Sequence, residues 1–515
     1  MKAVGITHSG AARYQIGKPN GGHLVIAREP LPTSDPRSRP DLAEALGNYW
    51  SSLKHEASPT AYIATGQLGD KCLSLCSNSW AQLAAAMRFS WETAHGTHFE
   101  GLFDQALDDA TPHAGLLHSA RVVAQAGVDA RCFLEFSDHQ HADHYGSALA
   151  HLEKILEKIW GDAQQCRTIF VTSASEPSLS GVISVPLGFV AKTLVDRTKS
   201  AHEGREVVDP KLQNEAATKD LFFPALMPTH SELGRLIVWW AIRFPGIPVL
   251  LAKKDVADAF KWLWLLCECS GLFSTEFQPG QAGLGGHLII IWLVLNFGWM
   301  GGPGSFARLG TLLKVLIANF RPSLTQWHDT TPFKTLIWMD DLVVIEPLLG
   351  VRGWMSLGLA EALITKLMGP AALNITKDLA EGRLEVGKTT WGLLYNTEDL
   401  TRALPAPQLE KAAHLLHRTD FDYGFLDLSH QLVQVLRGSQ EFWISSNPDL
   451  APLAGRTNAL LGTPSGSGIV QIRGSFRAQA RAFLEFWNVI ELQRFMIEAK
   501  ESWSIRFTHS LTPIA

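Results

Sequence analysis

The stretch Thr335–Pro347, TLIWMDDLVVIEP, sets two adjacent carboxylates, Asp340 and Asp341, between two apolar runs. Each run is short and apolar, the pattern of a buried strand, so the stretch predicts two strands meeting at a polar tip. Two explanations of the acids stand open at this point. Asp is a common turn residue, because its short side chain bonds to nearby backbone. Carboxylates fixed on a rigid turn are also what a pair of divalent cations requires.

A third acid lies upstream in IPVLLAKKDVADAF, where an apolar run ends at Asp255 and is followed by Ala259 and Phe260. A strand ending in a carboxylate, then a small residue and an aromatic, predicts one acid and one ring over a common cleft. Only tertiary folding could join Asp255 to Asp340. Around these segments the periodicity is mixed. SWAQLAAAMRF, HAGLLHSARVVAQAG and ALAHLEKILEKIW repeat at helical spacing, and so do SELGRLIVWWAIRF and GWMSLGLAEALITKLMG. TIFVTS and GVISVPLGFVAK read as strands, and LIIIWLVL as a buried strand or helix too short to span a bilayer. Strands and helices without strict alternation predict an α+β fold. Residues 1–60 are polar and weakly periodic, which predicts an arm or linker. Beyond 405 the pattern is mainly helical, in PAPQLEKAAHLLHR and FRAQARAFLEFWNVIELQRFMIEAK.

Composition excludes some classes. With 46% hydrophobic and 18% charged residues the 515-residue chain is globular, long enough for two to four domains. Its six Cys lack a repeated pairing, which fits a reducing, intracellular setting, cytoplasmic or nuclear, and the opening residues lack a secretory pattern. The net charge of −5 means that any polyanion must be held by local basic clusters.

In order along the chain, VPLGFVAK with GREVVDPKLQN, FFPALMPTHSELGRLIVWWAIRFPG, KDVADAF, NFGWMGGPGSF, WMDD, LNITKD and TTWGLLYNTED resemble the successive motifs of reverse transcriptases. LPAPQLEKAAHLL and LRGSQEFW are similar to the thumb of retroelement enzymes of the tyrosine-recombinase type. The resemblance covers roughly residues 180–462; each motif alone is weak, and their order gives them weight. It implies a right-hand polymerase fold with fingers, palm and thumb, behind a mostly helical N-terminal extension. The expected divisions are 1–150 for the extension, 151–400 for fingers and palm, 401–462 for a helical thumb, and 463–515 for a helical tail.

The resemblance implies an RNA-directed DNA polymerase, a nucleotidyltransferase using two Mg2+ ions, or Mn2+ in their place. Its partners would be a primed RNA or DNA template and deoxynucleoside triphosphates, with no membrane. Asp255, Asp340 and Asp341 would be the catalytic and metal-holding set, Asp341 in support. Lys192 and Arg205 would meet triphosphate oxygens, Arg by its bidentate fork and Lys as a point charge. Asp209 and Asn214 would close that motif. Phe260 would sit under the sugar and exclude a 2′-hydroxyl, Gly298 would allow backbone to approach a base pair, and Pro303 would stiffen the turn after it. Lys377 would protonate the leaving pyrophosphate. Trp338, Met339, Phe297 and Gly302 depart from the commonest family residues without removing an acid.

Two other readings compete. A domesticated or inactive relative would bind nucleic acid without polymerising. FSDHQHADHYG also offers His139, His141, Asp143 and His144 at the spacing of metallo-β-lactamase-like zinc hydrolases, with His202, Asp209 and His230 as the later partners.

Overall fold

The computed structural model describes residues 2–6, 12–15, 24–25, 36–130, 141–174, 179, 181–193, 199–217, 222–322, 329–416, 418–421, 427–446, 451–461, 469–471 and 495–496. The fold is mixed α+β, as the periodicity predicts. Its strands and helices form two compact units that interleave along the chain. The first comprises Met1–Met227, Val256–Asn319 and Ala360–Asn374; the second comprises Pro228–Asp255, Phe320–Leu359 and Ile375–Ala515.

The first unit is built around an antiparallel sheet ordered Thr168–Thr172, Leu288–Trp292, Ser274–Phe277. Every residue of all three strands is buried, so LIIIW resolves as a central strand covered on both faces. Helix Pro59–Leu75 starts on a Ser58 cap and a first-turn proline. It lies so close to Thr168–Thr172 that a Cβ on Gly69 would stand 1.9 Å from the Phe170 carbonyl oxygen.

Residues 40–60 correct the expected arm. Pro40–Ser52 is a helix whose Leu42, Ala45, Leu46 and Tyr49, at i, i+3, i+4 and i+7, are buried. The Phe170 amide donates to the Tyr49 hydroxyl at 3.0 Å, fixing that helix to the sheet. The polar residues around it hid a short amphipathic stripe. The same unit carries the hairpin Leu187–Thr193 with Lys199–Val208, and the helix Gly302–Asn319. Pro303 lies in the first turn of that helix, where its missing N–H costs nothing, rather than in a separate turn.

The second unit holds an antiparallel sheet ordered Thr335–Trp338, Asp341–Pro347, Val249–Asp255. Helix His230–Arg243, opened by a capping box of Thr229 and Glu232, packs on it. Trp240 is fully buried there and donates its indole N–H to the Ile345 carbonyl at 2.8 Å. TTWGLLYNTED forms a tight hairpin of Gly387–Thr390 and Leu393–Asn396. Its two turn residues, Trp391 and Gly392, both have positive φ, 50° and 87°, as a two-residue turn demands. Helices Ala406–Leu416, His430–Ser446 and Ala451–Leu461 follow. Of the helix expected over 476–500, only Phe495 and Met496 are described; they form a strand against Thr401 and Arg402, and the remainder lies outside the described residues.

Candidate active site

The second sheet brings acids from distant parts of the sequence to one end. Asp341 stands directly opposite Asp255 in the antiparallel register, and Trp338 pairs with Asp341 across a two-residue turn of Met339 and Asp340. Met339 takes a left-handed φ of 54° there. Residues directly opposite each other project from the same face, and like charges so placed cost a sheet roughly 0.2–1 kcal/mol. A turn preference explains Asp340. It does not explain Asp341 facing Asp255 across the ladder.

The electrostatics agree with close grouping. Burial pushes the Asp341 carboxyl up to about 6, with Asp340 and Asp255 adding to the rise and Lys253 and Lys377 opposing it. Lys377 Nζ donates to Asp255 Oδ1 at 2.6 Å. Burial opposes the charge on that ammonium, but Asp255 first, then Asp341 and Asp340, hold its pKa above the usual lysine value. Asp255 itself is 5% exposed.

Lys377 belongs to the helix Ile375–Glu381, which three ion pairs fasten to consecutive residues of the strand. Lys253 pairs with Glu381, Lys254 with Asp378, and Asp255 with Lys377. Sequence reading did not identify Lys253, Lys254, Asp378 or Glu381. Their signal was available: KKD and KDLAE are complementary in charge order. Beside the acid-bearing turn, Trp338 is 38% exposed and lies 5.4 Å from Trp391, ring to ring. His230 lies 6.0 Å from Trp391, and its Nδ1 is 2.7 Å from the Tyr395 hydroxyl.

The other expected nucleotide-binding residues belong to the first unit. Arg205 is exposed opposite Val190 in the hairpin, and Lys192 is exposed at the bulge between Ala191 and Thr193. Asp209 Oδ2 accepts a hydrogen bond from the Tyr145 hydroxyl. Asn214 clamps the turn that contains Gly298: its Nδ2 donates to the Gly298 carbonyl at 2.9 Å, and its Oδ1 accepts from Met300 N–H at 2.8 Å. Gly298 has a φ of 99°, and a Cβ there would stand 2.4 Å from the Val208 carbonyl oxygen. Its lack of a side chain is therefore already required inside the fold. Phe260 is 7% exposed, edge-on to Phe297 at 4.6 Å and to Phe306 at 5.9 Å.

Among the described residues, the zinc-hydrolase candidates do not assemble into a metal centre. His139 lies outside the described residues. His141 is exposed, with Nδ1 3.2 Å from Glu276 and Nε2 3.4 Å from Asp143. His144 is buried, accepts the Leu187 amide at Nδ1 and packs on Phe277. Asp209 is engaged by Tyr145, and His230 belongs to the second unit. Among the described residues no three His, Cys, Asp or Glu side chains stand ready to hold a metal ion.

That holds also for the three aspartates as they stand, with Lys377 supplying positive charge at Asp255. Their donor chemistry is nonetheless that of a hard cation site: carboxylate oxygens on a strand end, a turn, and the strand after it. No helix among the described residues is long and apolar enough to cross a membrane.

No protein-family model matches the chain, and no curated protein matches it. Among solved structures it is similar to a foamy viral protease–reverse transcriptase in complex with double-stranded DNA, at 14% identity and a TM-score of 0.44. That match covers 77% of this chain, which spans 59% of the viral chain.

Proposed function

We propose that the chain is a template-directed nucleotidyltransferase that adds deoxynucleotides to a primer 3′-end. It would copy RNA or DNA into DNA in the manner of a reverse transcriptase. The single observation that carries this reading is the register that opposes Asp341 to Asp255 with Asp340 in the adjoining turn. The ordered motifs of the sequence support it, and the sheet bearing the acids would be the palm. The hairpin Leu187–Val208 would belong to the fingers, and the helices after Ala406 to the thumb.

Asp255 and Asp340 would hold two Mg2+ ions, with Asp341 in support. When bound, such a pair lowers the pKa of an attacking hydroxyl and neutralises charge developing on phosphoryl oxygens. The chain's own side chains would do the rest. Lys192 and Arg205 neutralise the incoming triphosphate. Phe260 leaves no room for a 2′-hydroxyl and offers it no hydrogen bond, so deoxynucleotides are preferred. Lys377, released from Asp255, carries a proton suited to the departing pyrophosphate.

The test is deoxynucleotide incorporation on a primed RNA template by wild type and by Asp340→Ala. Extension by the wild type and its loss in the variant support the reading. Equal activity in the two proteins, or template binding without extension by the wild type, removes it.

A further inference from the structure

Two segments that the resemblance links to nucleotide binding, Phe260 and the Arg205 strand, are joined by an ionic network that is buried except at Asp258, whose side chain is 53% exposed. Arg167 Nη1 lies 2.7 Å from Asp258 Oδ2 and 3.2 Å from Asp162 Oδ1. Lys261 Nζ lies 2.5 Å from Asp162 Oδ2 and 3.2 Å from Glu206 Oε1. Two cations thus share three carboxylates, and Asp162 bridges them. Arg167 and Asp162 side chains are each 6% exposed, Lys261 15% and Glu206 12%.

Burying four of these five charges is expensive, and such networks seldom add net stability over apolar packing. What they supply is geometry. Here the geometry concerns one turn, Ala259–Trp262, entered through Asp258 at a left-handed φ of 51°. Asp258 before Phe260 and Lys261 after it are both tied into the network. Trp262 fixes the far end, donating its indole N–H to the Ala257 carbonyl at 2.5 Å beneath the Arg167 guanidinium. Phe260 is the apolar side chain between these anchors, directed at Phe297, which is 51% exposed. Glu206 adjoins Arg205 in the same strand, so the network also reaches the hairpin that carries Lys192 and Arg205.

We propose that the Asp162–Arg167–Asp258–Lys261–Glu206 network is a positioning device that holds the Phe260 ring rigid enough to discriminate deoxy- from ribonucleotides. This rests on the polymerase reading, in which Phe260 lies under the sugar. An apolar wall rejects an added hydroxyl only by close fit, so a small loosening admits it. Lys261 and Asp162 are positioning residues; they touch the ring's supporting turn rather than the nucleotide.

The experiment compares single-nucleotide incorporation of a deoxynucleoside triphosphate and its ribonucleotide counterpart by the full chain. Lys261→Met is expected to lower the ratio of the two kcat/KM values about tenfold, part of the roughly hundredfold selectivity such a wall can give. The change should fall mainly on the ribonucleotide KM. Lys261→Arg, which keeps the charge and the reach, should restore most of the ratio. Glu206→Gln, which removes only the peripheral contact, provides the same readout should Lys261→Met fail to fold, and should lower the ratio by a smaller factor. An unchanged ratio in folded Lys261→Met, or in folded Glu206→Gln where Lys261→Met does not fold, overturns the positioning role while leaving the polymerase reading intact. A wild type that extends no primer overturns both.

Discussion

The two units each contain a three-stranded antiparallel sheet with a buried, branched central strand, and the two sheets differ in the charges they carry. In the first, Thr168–Thr172, Leu288–Trp292 and Ser274–Phe277 are covered throughout, and the central strand LIIIW has no ionisable side chain. In the second, the central strand DLVVIEP begins with Asp341 opposite Asp255 and contains the fully buried Glu346. The interiors are equivalent scaffolds. The proposed chemistry belongs where the second sheet accepts like charges facing each other at its end.

The comparison is sharpened most by removing those charges. Asp255→Asn is expected to lower primer extension at least about a thousandfold, the several kcal/mol that metal stabilisation supplies. Its melting temperature should stay close to wild type, because relief of the Asp341 repulsion offsets the loss of the Lys377 pair.

Next in size is the buried acid of the second sheet. Arg352 holds Glu346 and Asp329, each at 2.5 Å, and its guanidinium lies 4.7 Å from the Trp240 ring. Burial pushes Glu346 up to about 7 against the pull of Arg352. Arg352→Met strands that carboxylate and should cost roughly 3–5 kcal/mol in urea unfolding. Ile290→Ala in the first sheet should cost about 3 kcal/mol by leaving a cavity, and should affect activity only through the amount of folded protein.

The smallest effect concerns pH. Burial lowers His230 in the second unit to about 4, with Arg402 adding to the shift. Burial also lowers His98 in the first to about 4, with Arg167 and Arg88 contributing. In the unfolded chain both take up protons near 6.5, so between pH 6.5 and 4 the unfolded state binds more protons. Stability therefore falls as pH drops through that window. His230→Phe should flatten the acid limb for the second unit alone, and His98→Phe for the first alone, read as urea midpoints at pH 7 and pH 5.

Much of this architecture was legible because local pattern and tertiary need coincide. TIFVT and VVIEP read as strands and are buried strands, while LIIIW, open between strand and helix in the sequence, is the buried central strand of its sheet. The hairpin at Trp391–Gly392 was legible from the resemblance, and the left-handed turn bears it out. What could not be read was partnership. Asp341 appeared as a supporting acid, yet the ladder makes it the direct neighbour of Asp255, because register depends on which strand pairs with which. The anchoring of Lys377 by Lys253–Glu381 and Lys254–Asp378 joins segments far apart in sequence. Pro40–Ser52 was obscured for a different reason: a two-turn apolar stripe is a weak signal among prolines and charges.

The central claim is that Asp255 and Asp340 act as one cation-holding unit. The direct measurement is the rate of primer extension by Asp255→Asn, Asp340→Asn and the double variant. Groups that work together are non-additive. Each single variant should lose nearly all activity, and the double variant should lose no more. Losses that multiply in the double variant, or a single variant that extends a primer at the wild-type rate, would contradict that claim.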